Sequence, residues 1–132
     1  MKKKILVVED EPHMMILLRS ALETAGYDVD EAFCGNDVYE RMRKAVYDLI
    51  LLDFILPDTL GNEICKSVCK DAATLNVPII VVTAFSTRSR ERFLEEGAID
   101  VVFKPVHLEE LLDKVRALFK GKEGAHARVG DT

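Results

Sequence analysis

Five short strand-like segments, four of them apolar runs, alternate with segments of helical character along this chain, and few folds accept that order. Strands are expected over Lys4–Glu9, Tyr27–Ala32, Asp48–Asp53, Pro78–Thr83 and Ile99–Phe103. The first intervening segment, Pro12–Ala25, has proline in its first turn, places Met15, Leu18, Leu22 and Ala25 at helical spacing, and is stopped by Gly26. A second helix is expected to be capped by Asn36 and anchored by Val38 and Met42. A loop with Pro57 and Gly61 leads to a third near Asn62–Asp71, and Ser86–Glu96 reads as a polar fourth helix ended by Gly97. In the last, Leu108, Leu111, Leu112, Val115, Leu118 and Phe119 share one helical stripe. Parallel strands need long crossovers, and those crossovers are right-handed. The pattern therefore predicts an α/β fold, a five-stranded parallel sheet with helices on both faces. Strands apolar on both sides agree, because such a sheet is covered twice.

The chain of 132 residues suits one domain with a proper core. Its formal charge of −5 argues against direct nucleic-acid binding, since phosphate backbones attract basic surfaces. No apolar stretch approaches the roughly 18 residues of a membrane span. Met-Lys-Lys-Lys imitates a secretory leader, but only Ile5–Val8 follows before Glu9 and Asp10, so a cytoplasmic protein is expected. Cys34, Cys65 and Cys69 give no disulfide framework. Cys65 and Cys69 share a helix face and read as small packed hydrophobes rather than a redox pair or half a zinc site. Residues 1–120 are expected to form the domain. Residues 121–132, without apolar periodicity, read as a flexible tail or the start of a linker.

The ends of the strands carry the chemistry. Ile5–Val8 runs into Glu9-Asp10, Leu49–Leu52 into Asp53, Ile79–Val82 into Thr83, and Val101–Phe103 into Lys104. In open parallel sheets ligands bind beyond these carboxyl ends. Three converging carboxylates repel one another in a partly dry site, and a bound divalent cation relieves them. All-oxygen ligands suit Mg²⁺, which keeps waters and bridges to phosphate. Glu9, Asp10 and Asp53 thus predict a magnesium site completed by a phosphoryl group. The Lys104 ammonium would balance its charge, the Thr83 hydroxyl would donate to one oxygen, and the small Ala84 would leave room. Asp53 is the best nucleophile, because carboxylates form aspartyl-phosphates. Such a site works mainly by positioning and charge stabilisation.

These segments together resemble the receiver domain of two-component response regulators, of the chemotaxis-regulator type. The resemblance rests on Ile5-Leu6-Val7-Val8-Glu9-Asp10-Glu11-Pro12, on Asp48–Asp53 with Pro57 and Gly61, on Val81-Val82-Thr83-Ala84 and on Lys104-Pro105. From Asp10 to Asp53 is 43 residues, from Asp53 to Thr83 30, and from Asp53 to Lys104 51, as the family spaces them. The match covers about residues 3–119. It implies strand order 2-1-3-4-5, a commonly cis Lys104–Pro105 bond, and phosphorylation of Asp53 by a sensor histidine kinase or phosphotransfer protein. Glu9, Asp10, Asp53 and the backbone carbonyl of Ile55 would then hold Mg²⁺. Thr83 and Lys104 would bind the phosphoryl group and couple it to a conformational switch. The face formed by the fourth helix, fifth strand and last helix would be a candidate contact for an output partner or a homodimer.

Two departures stand out. Receivers usually place Tyr or Phe three residues before the lysine, and here that position is Val101. Phe103, on the same face about 6–7 Å further along, reads first as a core phenylalanine and second as a partial substitute in the switch. Ile55 and Phe85 occupy the positions that in the family influence hydrolysis of the phosphoryl-aspartate. Neither hydrogen-bonds a water, so slow self-dephosphorylation is expected. The run Arg88–Arg92 reads first as a solvated face and second as a candidate interface, and His13 and His107 read as surface or capping residues.

Three other classes fit the sequence less well. A flavodoxin-like flavin module would need a Ser/Thr/Gly-rich loop where Glu9-Asp10-Glu11-Pro12 stands. An aspartyl phosphatase would need a second aspartate where Ile55 stands, so a multiple-turnover enzyme is not expected. A phosphorylation-independent docking module, a pseudo-receiver, is opposed by the intact acids, Thr83 and Lys104, and kept open by Val101.

Overall fold

A computed structural model describes residues 2–127. The elements are β1 (Lys4–Val8), α1 (Pro12–Thr24), β2 (Asp28–Ala32), α2 (Gly35–Lys44), β3 (Leu49–Leu52), α3 (Gly61–Lys70), β4 (Ile79–Thr83), α4 (Arg90–Glu95), β5 (Asp100–Phe103) and α5 (Leu108–Ala127). The strands form one sheet in the order β2-β1-β3-β4-β5, and every neighbouring pair is parallel. Strand side chains alternate between faces, and this divides the core in two. Leu6, Val8, Ile50, Leu52, Ile79 and Val81 point to the face covered by Val38 of α2, Ile64, Cys65 and Val68 of α3, and Phe93 of α4. Ile5, Val7, Leu49, Leu51, Ile80 and Val82 point to the other, against Met15, Leu18 and Leu22 of α1 and Leu111, Val115 and Phe119 of α5. The apolar stripe that the sequence places on the last helix is therefore its buried stripe. Gly26 and Gly97 follow α1 and α4 with φ of +100° and +117°, the left-handed conformation that ends helices cheaply only at glycine.

Two expectations need correction. Asn36 does not cap α2, because Asn36 lies inside the helix and the capping position, Cys34, makes no side-chain bond. The cap comes from a distant loop. Asp58 accepts the backbone N–H groups of Gly35 at 2.7 Å and of Asn36 at 3.0 Å, and a carboxylate reaching across the fold satisfies those donors as a local asparagine would. The fourth helix begins at Arg90, not Ser86, because the Ser89 hydroxyl accepts the Arg92 N–H at 3.3 Å and caps it there. Residues 84–89 form turns instead. The last helix runs to Ala127, past the residue at which the tail is expected to begin. Residues 128–132, the rest of the expected tail, lie outside the described residues.

Candidate functional site

The sheet register brings the polar strand ends together. Beyond β1, the Glu9 N–H donates to the Ala32 carbonyl at 3.0 Å, and beyond β3 the Asp53 N–H donates to the Val8 carbonyl at 3.0 Å. The Lys104 N–H donates to the Thr83 carbonyl at 2.8 Å. These bonds extend the parallel ladders by one residue into the site, so backbone pairing aims the side chains. Among the described residues, the buried polar or charged ones are Glu9, Asp53 and Thr83, at 1%, 7% and 0% exposure. All three lie at this edge. Asp10 beside them is exposed.

Lys104 spans two of the acids. Its Nζ lies 2.7 Å from Glu9 Oε1 and 3.3 Å from Asp53 Oδ2. The other Glu9 oxygen accepts the Glu11 N–H at 3.1 Å, and Asp53 Oδ1 accepts the Ile55 N–H at 3.2 Å. Burial pushes the Glu9 carboxyl above the usual range, against the hydrogen bonds from Lys104 and Glu11, and the charge of Asp53 adds to the rise. Burial alone would pull the Lys104 ammonium down. The Glu9 hydrogen bond and the charges of Asp53 and Glu9 outweigh it and leave Lys104 above its ordinary value, fully charged at neutral pH.

Glu9, Asp10 and Asp53 each offer a carboxylate oxygen, all within 4.8 Å of one another. An octahedral magnesium ion with oxygens at about 2.0–2.1 Å places opposite oxygens about 4.2 Å apart, so a small inward side-chain movement closes the set. The donors are all oxygen and carry more negative charge than Lys104 alone balances, so the cluster suits Mg²⁺. The Ile55 backbone sits against the same cluster through its N–H bond to Asp53.

The other residues singled out by sequence are also placed. The Thr83 hydroxyl accepts the Phe85 N–H at 3.1 Å, and Ala84 is exposed. Ile55 and Phe85 are exposed at 50% and 39% and flank the site. Val101 is buried, and Phe103 is half-buried on the same core face. Pro105 follows a cis peptide bond, as the resemblance implied. His13 and His107 are exposed. Cys65 is buried and Cys69 exposed on α3. Burial pushes the Cys65 thiol up to about 12, as for a packed hydrophobe rather than a reactive thiolate.

Sequence reasoning missed two residues. Asp58, the clamp on α2, gave no local sign of a partner 23 residues away. Arg88 reads in sequence as solvated with its charged neighbours, yet its side chain is only 11% exposed. Its guanidinium lies 4.5 Å from the Phe54 ring centroid and 4.6 Å from that of Phe93, and it pairs with Glu96. Phe93 then meets Phe103 edge-on at 6.2 Å, and Phe54 meets Phe85 at 5.7 Å. An aromatic row thus runs from the loop after β4 to β5, with Arg88 clamped against its middle. Alternating charge along Arg88–Arg92 could not have signalled this, because the inward turn is set by rings from two other elements.

A five-stranded parallel sheet in this order, with acids, a threonine and a lysine at its carboxyl edge, defines the receiver class. The response regulator receiver domain family matches residues 5–116, and the chain belongs to that family. Among curated relatives, the response regulator ArlR of Staphylococcus saprophyticus is 41% identical over 118 residues, covering 89% of this chain. The chain spans about half the length of that relative, 52%. Among solved structures, the receiver domain of the Francisella response regulator 1452 superposes with a TM-score of 0.84 at 28% identity, covering 92% of this chain and 99% of that one. The receiver domain of the Pseudomonas aeruginosa sensor histidine kinase PA1611, described with a magnesium ion in its active-site cleft, gives 0.80 at 27%, covering 88% and 96%.

Proposed function

We propose that Asp53 is the phosphoacceptor of this receiver and that the reaction depends on Mg²⁺. The observation that carries the reading is a carboxylate only 7% exposed, 3.3 Å from the Lys104 ammonium and within 4.8 Å of two further acids. An Asp53 oxygen attacks the phosphorus of a phosphohistidine on a sensor histidine kinase or phosphotransfer protein. The oxygen–phosphorus bond forms, the phosphorus–nitrogen bond breaks, and the imidazole leaves with its electron pair. Glu9, Asp10, Asp53 and the Ile55 carbonyl would hold the metal, which when bound would supply charge stabilisation for the phosphoryl oxygens. Lys104 turns from the acids toward the new phosphoryl group, and the Thr83 O–H donates to it. The chain is thus a phosphoacceptor that assists its own reaction, not a multiple-turnover enzyme.

Readout begins at Thr83, Ala84 and Phe85, where the threonine hydroxyl already meets the Phe85 N–H. With Val101 in the aromatic's place, Phe103 contributes through its edge contact with Phe93. If Phe103→Ala leaves kinase-dependent output intact, Phe103 is core alone. The absence of a polar side chain at Ile55 and Phe85 slows self-dephosphorylation. The α4–β5–α5 face, where Asp100 pairs with Arg90 and Lys114 and Ile99 is exposed, is the contact for an output partner or a second copy. The formal charge of −5 supports protein rather than nucleic-acid contacts for this domain. No described helix is long and apolar enough to cross a membrane. The second reading, a docking module that never accepts phosphate, is favoured only by Val101.

Incubation with Mg²⁺ and acetyl phosphate, followed by intact mass measurement, separates the two. One added phosphoryl group, absent in Asp53→Ala, is expected. No gain in the wild type under saturating donor leaves the docking reading.

A further inference from the structure

The segment joining β3 to α3 is a small hairpin. The Gly61 N–H donates to the Phe54 carbonyl at 2.5 Å and the Leu56 N–H to the Thr59 carbonyl at 3.1 Å, and Ile55 and Leu60 form an antiparallel bridge between them. Its base is anchored by β3 and α3. Its tip, Pro57 and Asp58, lies against the start of α2. Asp58 grips the first two amides of α2 with both carboxylate oxygens. Gly35 lets the tip sit flush, since an added Cβ there would come within 2.5 Å of Thr59 Cγ2. Ile55 lies inside this doubly anchored hairpin, with its side chain half in solvent. Its backbone is therefore held by the hairpin and not by side-chain packing.

We infer that Asp58 is a positioning residue for the phosphoryl site. By clamping the hairpin tip to α2, it fixes the Ile55 carbonyl where the metal needs it and the Ile55 N–H where it meets Asp53. The inference rests on the reading of Ile55 as a metal ligand. Asp58 itself is remote in role from the acid cluster and touches neither metal nor phosphoryl group. Charge-assisted bonds to backbone N–H groups are among the stronger ones available to a carboxylate. Residues that orient ligands in this way change metal affinity by about 10–100-fold when removed.

The test is a Mg²⁺ titration of the full chain, followed by backbone amide NMR, on the wild type and three variants. Asp58→Ala is expected to raise the Mg²⁺ dissociation constant about tenfold and to slow acetyl-phosphate modification in step. Asp58→Asn keeps one acceptor oxygen and should fall between that variant and the wild type. Asp37→Ala is the control. Asp37 accepts the Phe33 N–H at 3.0 Å at the same end of α2, so its loss weakens the helix start without touching the hairpin. It should lower stability and leave Mg²⁺ affinity unchanged. An Asp58→Ala affinity within about twofold of the wild type overturns the inference, and so does an equal loss in Asp37→Ala, which would assign the effect to fraying of α2. A wild type that neither binds Mg²⁺ nor accepts a phosphoryl group overturns the underlying phosphoacceptor reading and takes the inference with it.

Discussion

Replacing Lys104 by methionine keeps the aliphatic stem and removes the one ammonium among three acids. At the observed distances of 2.7 Å to Glu9 and 3.3 Å to Asp53, and an effective dielectric of about 20, the two attractions are at most about 6 and 5 kcal/mol. Much of that offsets the cost of burying the charges, and removing one partner of a buried pair costs about 3–5 kcal/mol. Lys104 retains 19% exposure against 2% and 9% for the acid side chains, which favours the lower end. Without metal, Lys104→Met is therefore expected to lose about 3 kcal/mol at neutral pH. Glu9, already raised by burial, rises further once the ammonium is gone. The folded variant then binds a proton more readily than the unfolded chain, so the loss shrinks as the pH falls through the raised Glu9 value. Mg²⁺ should restore more stability to the variant than to the wild type, because no ammonium competes for the carboxylates. An affinity about fivefold tighter would add about 1 kcal/mol at saturating metal. The chain has no tryptophan, so the assay is urea unfolding followed by far-ultraviolet circular dichroism, with and without Mg²⁺. A loss under about 0.5 kcal/mol in metal-free buffer, or an equal Mg²⁺ effect in both proteins, would refute the account of Lys104 as the resident counter-ion.

Removing the Arg88 clamp by Arg88→Ala should cost about 3 kcal/mol, from two aromatic contacts and a largely buried ion pair. In a double-mutant cycle, Glu96→Gln should couple to it by more than about 1 kcal/mol, and strict additivity in urea unfolding would rule out the pair as a joint support. The Tyr47 hydroxyl donates to Asp30 Oδ2 at 2.6 Å and is the main cause holding that carboxyl below its ordinary value. Because a lowered carboxylate stabilises the fold above its unfolded pKa and loses that contribution as pH falls through the folded one, Tyr47→Phe should cost about 1 kcal/mol near neutral pH and progressively less below the ordinary aspartate range. A penalty independent of pH would show that the carboxylate's charge is not involved. Finally, Ile55→Asn with Phe85→Glu supplies side chains able to orient water at the flanks of the site, and should hasten loss of phosphate from Asp53. An unchanged or slower rate, measured by intact mass after removal of the donor, would count against the expectation that Ile55 and Phe85 slow dephosphorylation.

The sequence alone determined the sheet, its parallel sense and the edge at which the polar strand ends gather. That information is local: an apolar run of strand length ending in an acid, hydroxyl or amine says both that the strand is buried and where it emerges. Glu9, Asp10, Asp53, Thr83 and Lys104 were legible for this reason, as was the buried stripe of α5. Only the tertiary structure decided how those ends engage, with Lys104 reaching Glu9 as well as Asp53. It also decided which nearby residues support them. Asp58 caps a helix 23 positions earlier in the chain, and Arg88 leaves a charged run to lie against Phe54 and Phe93. Neither partner lies within a helical turn or a strand pair in sequence, so no periodicity carries the signal. A carboxylate or guanidinium takes whatever donor, ring or counter-charge the packed elements bring within about 3–5 Å, and that neighbourhood exists only once the sheet has assembled.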